Sequence, residues 1–132
     1  RAETAAAAEM VAALDIRSTG LAQEVGDLSG GNQQKVSIGK WLAAGCDMLI
    51  VDEPTVGIDI GAKAQIHRLI WELAANEGKA IILISSDMPE IIGLAERILV
   101  FKDRRIVHKI ADIHRRGLNY DVVSGEIGRY LN

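Results

Sequence analysis

The run Met48-Leu49-Ile50-Val51, closed at once by Asp52-Glu53-Pro54, constrains the fold of this chain more than any other segment. A short apolar run without polar alternation, ended by turn residues, fits a strand covered on both faces, as in a parallel sheet. Two similar runs follow, at 80–84 and 98–101. Between the first two runs, Ile66, Leu69, Ile70 and Leu73 recur at i, i+3, i+4, i+7, one face of a helix, with Gly78 placed to stop it. Pro89 suits the first turn of a short helix reaching to about Ala95. Strand and helix alternate, which predicts an α/β fold with a mostly parallel sheet flanked by helices and with ligands at the carboxyl ends of the strands. Asp103-Arg104 reads as a turn into a fourth strand, 105–110, forming an antiparallel hairpin at the sheet edge.

Upstream, Ala7, Met10, Val11 and Leu14 share the helical spacing, so an amphipathic helix ends near Asp15 and a loop runs on to Asp27. Ile38, Trp41, Leu42 and Gly45 mark a second helix over about 31–44, whose start is Ser29 followed by two glycines. The tail 119–130 carries a helical pattern that Gly125 and Gly128 weaken.

Composition narrows the classes of function. With 132 residues the chain is one domain's worth of protein, and a formal net charge of −3 with 4% aromatic residues argues against a nucleic-acid binder. The single cysteine, Cys46, forms no intrachain disulfide and reads as a buried packing thiol of a reducing compartment. The longest apolar runs fall far short of the roughly 20 residues that span a bilayer, and the alanine run 5–8 lacks the apolar core of a secretion signal. His67, His108 and His114 show no ligand spacing and read as solvated or packing residues. Trp41 and Trp71 read as core or subunit-contact residues rather than base-stacking platforms.

Two constellations carry chemistry. In Leu28-Ser29-Gly30-Gly31-Asn32-Gln33-Gln34-Lys35 a hydroxyl and two glycines precede a helix, so backbone N–H groups and the positive helix end can meet an anion. The same pattern also serves a simple capped helix start. In the second constellation, Asp52 and Glu53 stand at the carboxyl end of a buried strand, where one carboxylate can hold Mg²⁺ through its water shell and its neighbour can orient an attacking water. An N-cap beside a solvated acid would give that pattern too.

Taken together with Gly57-Ile58-Asp59, these segments resemble in order and spacing the signature motif, Walker B motif and D-loop of ATP-binding cassette (ABC) ATPases, over about 28–109. The forms of 29–35, 52–63 and Ser85-Ser86-Asp87-Met88-Pro89-Glu90 resemble the second cassette of the ribose- and galactoside-type bacterial sugar importers. The resemblance implies a partial P-loop NTPase fold, with a helical subdomain over about 1–45, a Walker B core and hairpin over about 46–110, and a tail over 111–132. It implies that Ser29, Gly30, Gly31, Asn32 and Gln33 bind ATP held by the opposite cassette of a head-to-tail sandwich, and that Asp59 reports across that interface. It further implies that Asp52 supports Mg²⁺ and that Glu53 positions water in this cassette's own site. The family's switch histidine falls on Ser86, and a hydroxyl presents neither imidazole's reach nor its charge to a γ-phosphate. Unequal composite sites follow.

The phosphate loop G-x-x-x-x-G-K-[ST] has no counterpart. Gly39-Lys40 is followed by Trp41 and Gly78-Lys79 by Ala80, and the positions five before those glycines are Gln34 and Leu73. In the family the strand entering that loop lies between the strands read here at 80–84 and 98–101. The expected molecule is therefore a piece of an ATPase subunit that begins inside a helical region, needs the N-terminal half of its cassette, and is inactive alone. Its implied partners are a second ABC cassette, membrane permease subunits and a sugar-binding protein. Its expected place is the cytoplasm, peripheral on the inner face of the bacterial plasma membrane. Two other readings remain at this point, a non-catalytic regulatory fragment and a soluble non-transport ABC ATPase. With its strand edges unpaired, the chain is expected to self-associate, to swap strands, or to close so that the two flanking strands pair directly.

Overall fold

The computed structural model describes residues 2–131, which form α1 (Ala2–Ala13), a 3₁₀ turn (Val25–Asp27), α2 (Gly30–Ala43), β1 (Met48–Asp52), α3 (Ile60–Ala75), β2 (Ala80–Ile84), α4 (Met88–Leu94), β3 (Ile98–Lys102), β4 (Arg105–Ile110) and α5 (Tyr120–Leu131). They divide into two compact units, Arg1–Ile84 and Ser85–Asn132. Among the described residues no helix is long and apolar enough to cross a membrane.

In the first unit β1 and β2 pair in parallel, from Met48 opposite Ala80 to Asp52 opposite Ile84. α3 forms because Ile66, Ile70 and Leu73 fall on one face and bury, while Asp59 caps its first turn. Leu14, Ile16, Ile38, Leu49 and Val51 complete the apolar interior of this unit. β1 departs from the expectation of a strand covered on both faces. Leu49 and Val51 are buried, but Met48 and Ile50 are 59% and 68% exposed, and Ile82 and Ile84 of β2 are each 48% exposed. Successive side chains of a strand point to opposite faces, so an all-apolar strand needs two covers, and the described residues supply one. Trp41 and Trp71 are exposed as well, which removes the core reading for both, and Cys46 is half-buried.

In the second unit β3 and β4 pair antiparallel, with a bulge between Val100 and Phe101. Asp103 and Arg104 carry φ of 51° and 62°, the two positive values of a two-residue hairpin turn whose twist suits the strands. Ile92, Ile98, Val100, Ile110, Ile113, Val123 and Ile127 close one core cluster. α5 forms despite its glycines because Val123 and Ile127 bury at i, i+4 and the Asn119 side chain accepts from the Val122 N–H at 3.0 Å. His108 is a packing residue, its Nε2 2.6 Å from Glu126 Oε1 and its ring stacked on Tyr130.

The described strand pairing lies in two ladders, β1–β2 and β3–β4. No segment of this sequence corresponds to the strand that the family resemblance places between β2 and β3.

Candidate functional site

Residues 57–62 and the first turn of α2 meet in the first unit. Ser29 is the N-cap of α2 in extended conformation, φ −60° and ψ 152°, but its hydroxyl does not cap the helix. It accepts instead from the Asn32 amide nitrogen at 2.9 Å, while Asn32 Oδ1 accepts from the Arg17 backbone N–H at 3.0 Å. One side chain therefore fixes both the serine and the chain fifteen residues upstream. Gln33 turns to the preceding loop, donating to the carbonyls of Leu28 at 2.8 Å and Gly26 at 3.4 Å.

Gly31 is required by space, and Gly30 is not. A Cβ on Gly31 would lie 2.6 Å from the Ala62 Cβ, a distance real atoms do not adopt, and one on Gly30 would meet Ile58 at 3.6 Å. Only glycine lets α2 approach α3 this closely. Asp59 Oδ1 accepts from the Ala62 N–H at 2.9 Å, which satisfies one of the free donors at the start of α3. A cavity of about 210 Å³ opens here, lined by Arg17, Ser29, Gly31, Asn32, Asp59, Gly61, Ala62 and Gln65. The N-terminal ends of two helices border it, so partial positive charge and backbone donors face the same space.

Asp52 and Glu53 are placed differently. Asp52 is the exposed last residue of β1 and Glu53 follows it half-buried, and neither lines that cavity. Glu53 sits at φ 45°, in the left-handed region that costs a non-glycine residue about 1–2 kcal/mol, and its N–H donates to the Ile84 carbonyl at 2.8 Å. The bond to β2 holds the strained residue in place. Strain of this kind persists where surrounding structure over-determines it, and it gathers at functional sites. Among the described residues no group of three His, Cys, Asp or Glu side chains is placed to hold a metal. Two adjacent carboxylates at a strand end do suit Mg²⁺, which takes one or two carboxylates and fills its shell with water and phosphate oxygens.

Ser86 is exposed and belongs to the second unit, on the connection from β2 to α4. Its neighbours serve the turn. Asp87 caps α4 by accepting from the Glu90 N–H at 2.9 Å, and its own N–H donates to Ser85 Oγ at 3.0 Å.

The structure thus gathers Ser29, Gly31, Asn32 and Asp59 at one cavity, sets Gly30 against Ile58 beside it, and directs Gln33 into the loop. Sequence reasoning missed Arg17, Ala62 and Gln65 as site residues, because no motif marks them and they reach the cavity only through packing. It missed the conformation of Glu53 too, because nothing in the residue type announces a positive φ.

Comparison with known proteins adds an independent line. A family model described as "ABC transporter" matches residues 1–56. The chain is 48% identical over 122 residues, 92% of its length and 23% of the relative's, to a ribose import ATP-binding protein of Jannaschia sp.. It is 57% identical over 101 residues, 76% of its length and 20% of the relative's, to one from Rhizobium etli. The chain spans about a fifth of the length of such curated relatives. Among solved structures it matches an ATP-binding cassette in a dimeric post-hydrolysis state bound to ADP and Pi, at a TM-score of 0.71 and 25% identity, over 81% of this chain and 46% of that one. A nucleotide-free cassette from an ABC transporter matches in fold, with a TM-score of 0.75 over 94% of this chain and 49% of the other at 24% identity.

Proposed function

We propose that this chain, which belongs to the ABC transporter ATPase family as part of the ATP-binding domain, works within a subunit that powers a bacterial sugar importer, where it supplies the signature surface to ATP held by an opposite cassette. The observation that carries this reading is the cavity at Ser29, Gly31 and Asn32, bordered by two helix N-terminal ends. A γ-phosphate brought to it would meet the Ser29 hydroxyl and first-turn N–H groups of α2, donors already fixed by Asn32 and by the packing of Gly31 on Ala62. Gly30 leaves the backbone open for the same approach. Gln33 contributes by bracing the loop, and Asp59 by holding the start of α3 at the cavity wall.

In this cassette's own site Asp52 would hold Mg²⁺ with phosphate oxygens, and Glu53 would orient water; bound Mg²⁺ would supply charge for the transferred phosphoryl group. ATP affinity there depends on a phosphate loop that this sequence does not contain, so the chain by itself is half of a site. Ser86 stands where the family has its switch histidine, and the weaker of two unequal sites is the one containing Glu53. The ribose import names of the relatives support a sugar as cargo. The partners that complete the machine are the rest of this cassette, a second cassette, permease subunits and a sugar-binding protein, at the inner face of the plasma membrane. In the full-length subunit assembled with its permease, replacing Ser29 by Arg should lower sugar-stimulated ATP turnover about 100-fold or more, the loss seen when a transition-state donor is removed. Unchanged turnover would refute the reading.

A further inference from the structure

The signature helix carries a lysine that the proposed phosphate contacts leave unused. Lys35 is only 6% exposed, and a buried ammonium is costly unless hydrogen bonds replace its water. Its Nζ donates to the Asp15 carbonyl at 2.9 Å and to Gln65 Oε1 at 3.0 Å. Both acceptors are neutral, so these bonds fix geometry without pairing the charge. They also reach in two directions, to the chain just beyond α1 and to α3.

The spacing along the helices gives the bond its meaning. Lys35 stands four residues after Gly31 on α2, and Gln65 stands three after Ala62 on α3, so each pair shares a helix face. The contact of Gly31 with Ala62 and the bond from Lys35 to Gln65 are therefore successive points on one seam between α2 and α3. A single point of contact would act as a pivot; two points a turn apart fix the rotation of α2 about its own axis. That rotation decides where Ser29 and the first-turn N–H groups aim. Gln65 lines the same cavity as Ser29, so the seam ends at the space those groups face.

We infer that Lys35 is a positioning residue for the signature segment, locking α2 to α3 so that Ser29 and the adjoining amides hold the orientation that meets phosphate. This rests on the function proposed above. A lysine does what an apolar residue at 35 cannot, since a hydrocarbon would fill the space yet supply no donor to tie the Asp15 carbonyl to the Gln65 side chain, and would set no angle.

Lys35→Met, Lys35→Arg, Gln65→Leu and the Lys35→Met/Gln65→Leu double variant, made in the full-length subunit assembled with its permease, test the inference through kcat, KM for Mg-ATP and thermal midpoint. Lys35→Met should lower kcat about 10- to 100-fold, the scale of a misplacement of about 1 Å, with KM changed by less than about threefold because the nucleotide is held by another cassette. Lys35→Arg should recover most of that loss, Gln65→Leu should lower kcat by less, and the double variant should be no slower than Lys35→Met alone. A fall in thermal midpoint with kcat per folded subunit unchanged would overturn the inference, as would an arginine variant no better than methionine. Should Lys35→Met fail to fold, Gln65→Leu decides the matter, and an unchanged kcat there counts against it. Ser29→Arg measured beside these keeps the two claims apart: if it silences turnover while the Lys35 and Gln65 variants do not lower kcat, only the positioning role is lost. If Ser29→Arg has no effect, the function proposed above falls and the positioning role falls with it.

Discussion

The junction of α2 with α3 and the carboxyl end of β1 lie in the same unit, yet one is finished and the other is open. At the junction Gly31 leaves no space against Ala62, Lys35 has both acceptors in reach, Asn32 joins Ser29 to Arg17, and Asp59 caps α3. At the strand end Asp52 is exposed on a two-stranded ladder whose second face presents Met48, Ile50, Ile82 and Ile84 to solvent. The function proposed above accounts for the difference. A surface offered to an opposite cassette can be built from one stretch of chain, whereas a catalytic carboxylate works only beside a phosphate loop that this stretch does not include.

The largest expected effect is a complete one. The chain on its own should neither hydrolyse ATP measurably nor bind it tightly, because the lysine and amide cradle is absent from its sequence. Turnover that survives stringent purification and disappears on Glu53→Gln would break the contrast from the open side. Next in size, Gly31→Val should destabilise the full-length subunit by about 1–3 kcal/mol through overpacking against Ala62, read as a lowered unfolding midpoint. Gly39→Ala should cost less, since its Cβ would crowd the far end of Leu14 at 2.8 Å, an atom that can move aside, and meet Met10 at an ordinary 3.7 Å. Equal effects would show that the junction is looser than its geometry states. The smallest change concerns association. The open face of β1 and β2 should make the isolated chain self-associate, and Ile82→Lys should weaken that by placing a charge on the exposed face. Sedimentation across a concentration series would reveal it, and a wild-type chain monomeric throughout would remove the argument.

Much of the fold was legible because its signals are local. The run at 48–51 and the spacing of Ile66, Ile70 and Leu73 each depend on neighbours in sequence, and the observed β1 and α3 follow them. The exposure of Ile50 was not legible, because an apolar strand states that it needs two covers without stating whether this length of chain supplies both. The site divides the same way. Ser29, Gly31 and Asp59 announce themselves by motif, but Arg17 and Gln65 enter the cavity only through the packing of α1, α2 and α3, and the left-handed turn at Glu53 is set by a bond to β2.

One ranking tests the unequal sites most directly, the steady-state ATP turnover of Ser29→Arg and Glu53→Gln compared in the assembled transporter. On the function proposed above, Ser29 serves the opposite, histidine-bearing site, while Glu53 serves the site in which Ser86 stands at the switch position. Ser29→Arg should be the more damaging of the two, with Glu53→Gln keeping a substantial part of wild-type turnover. The reverse ranking, with Glu53→Gln silent and Ser29→Arg still turning over, would contradict it.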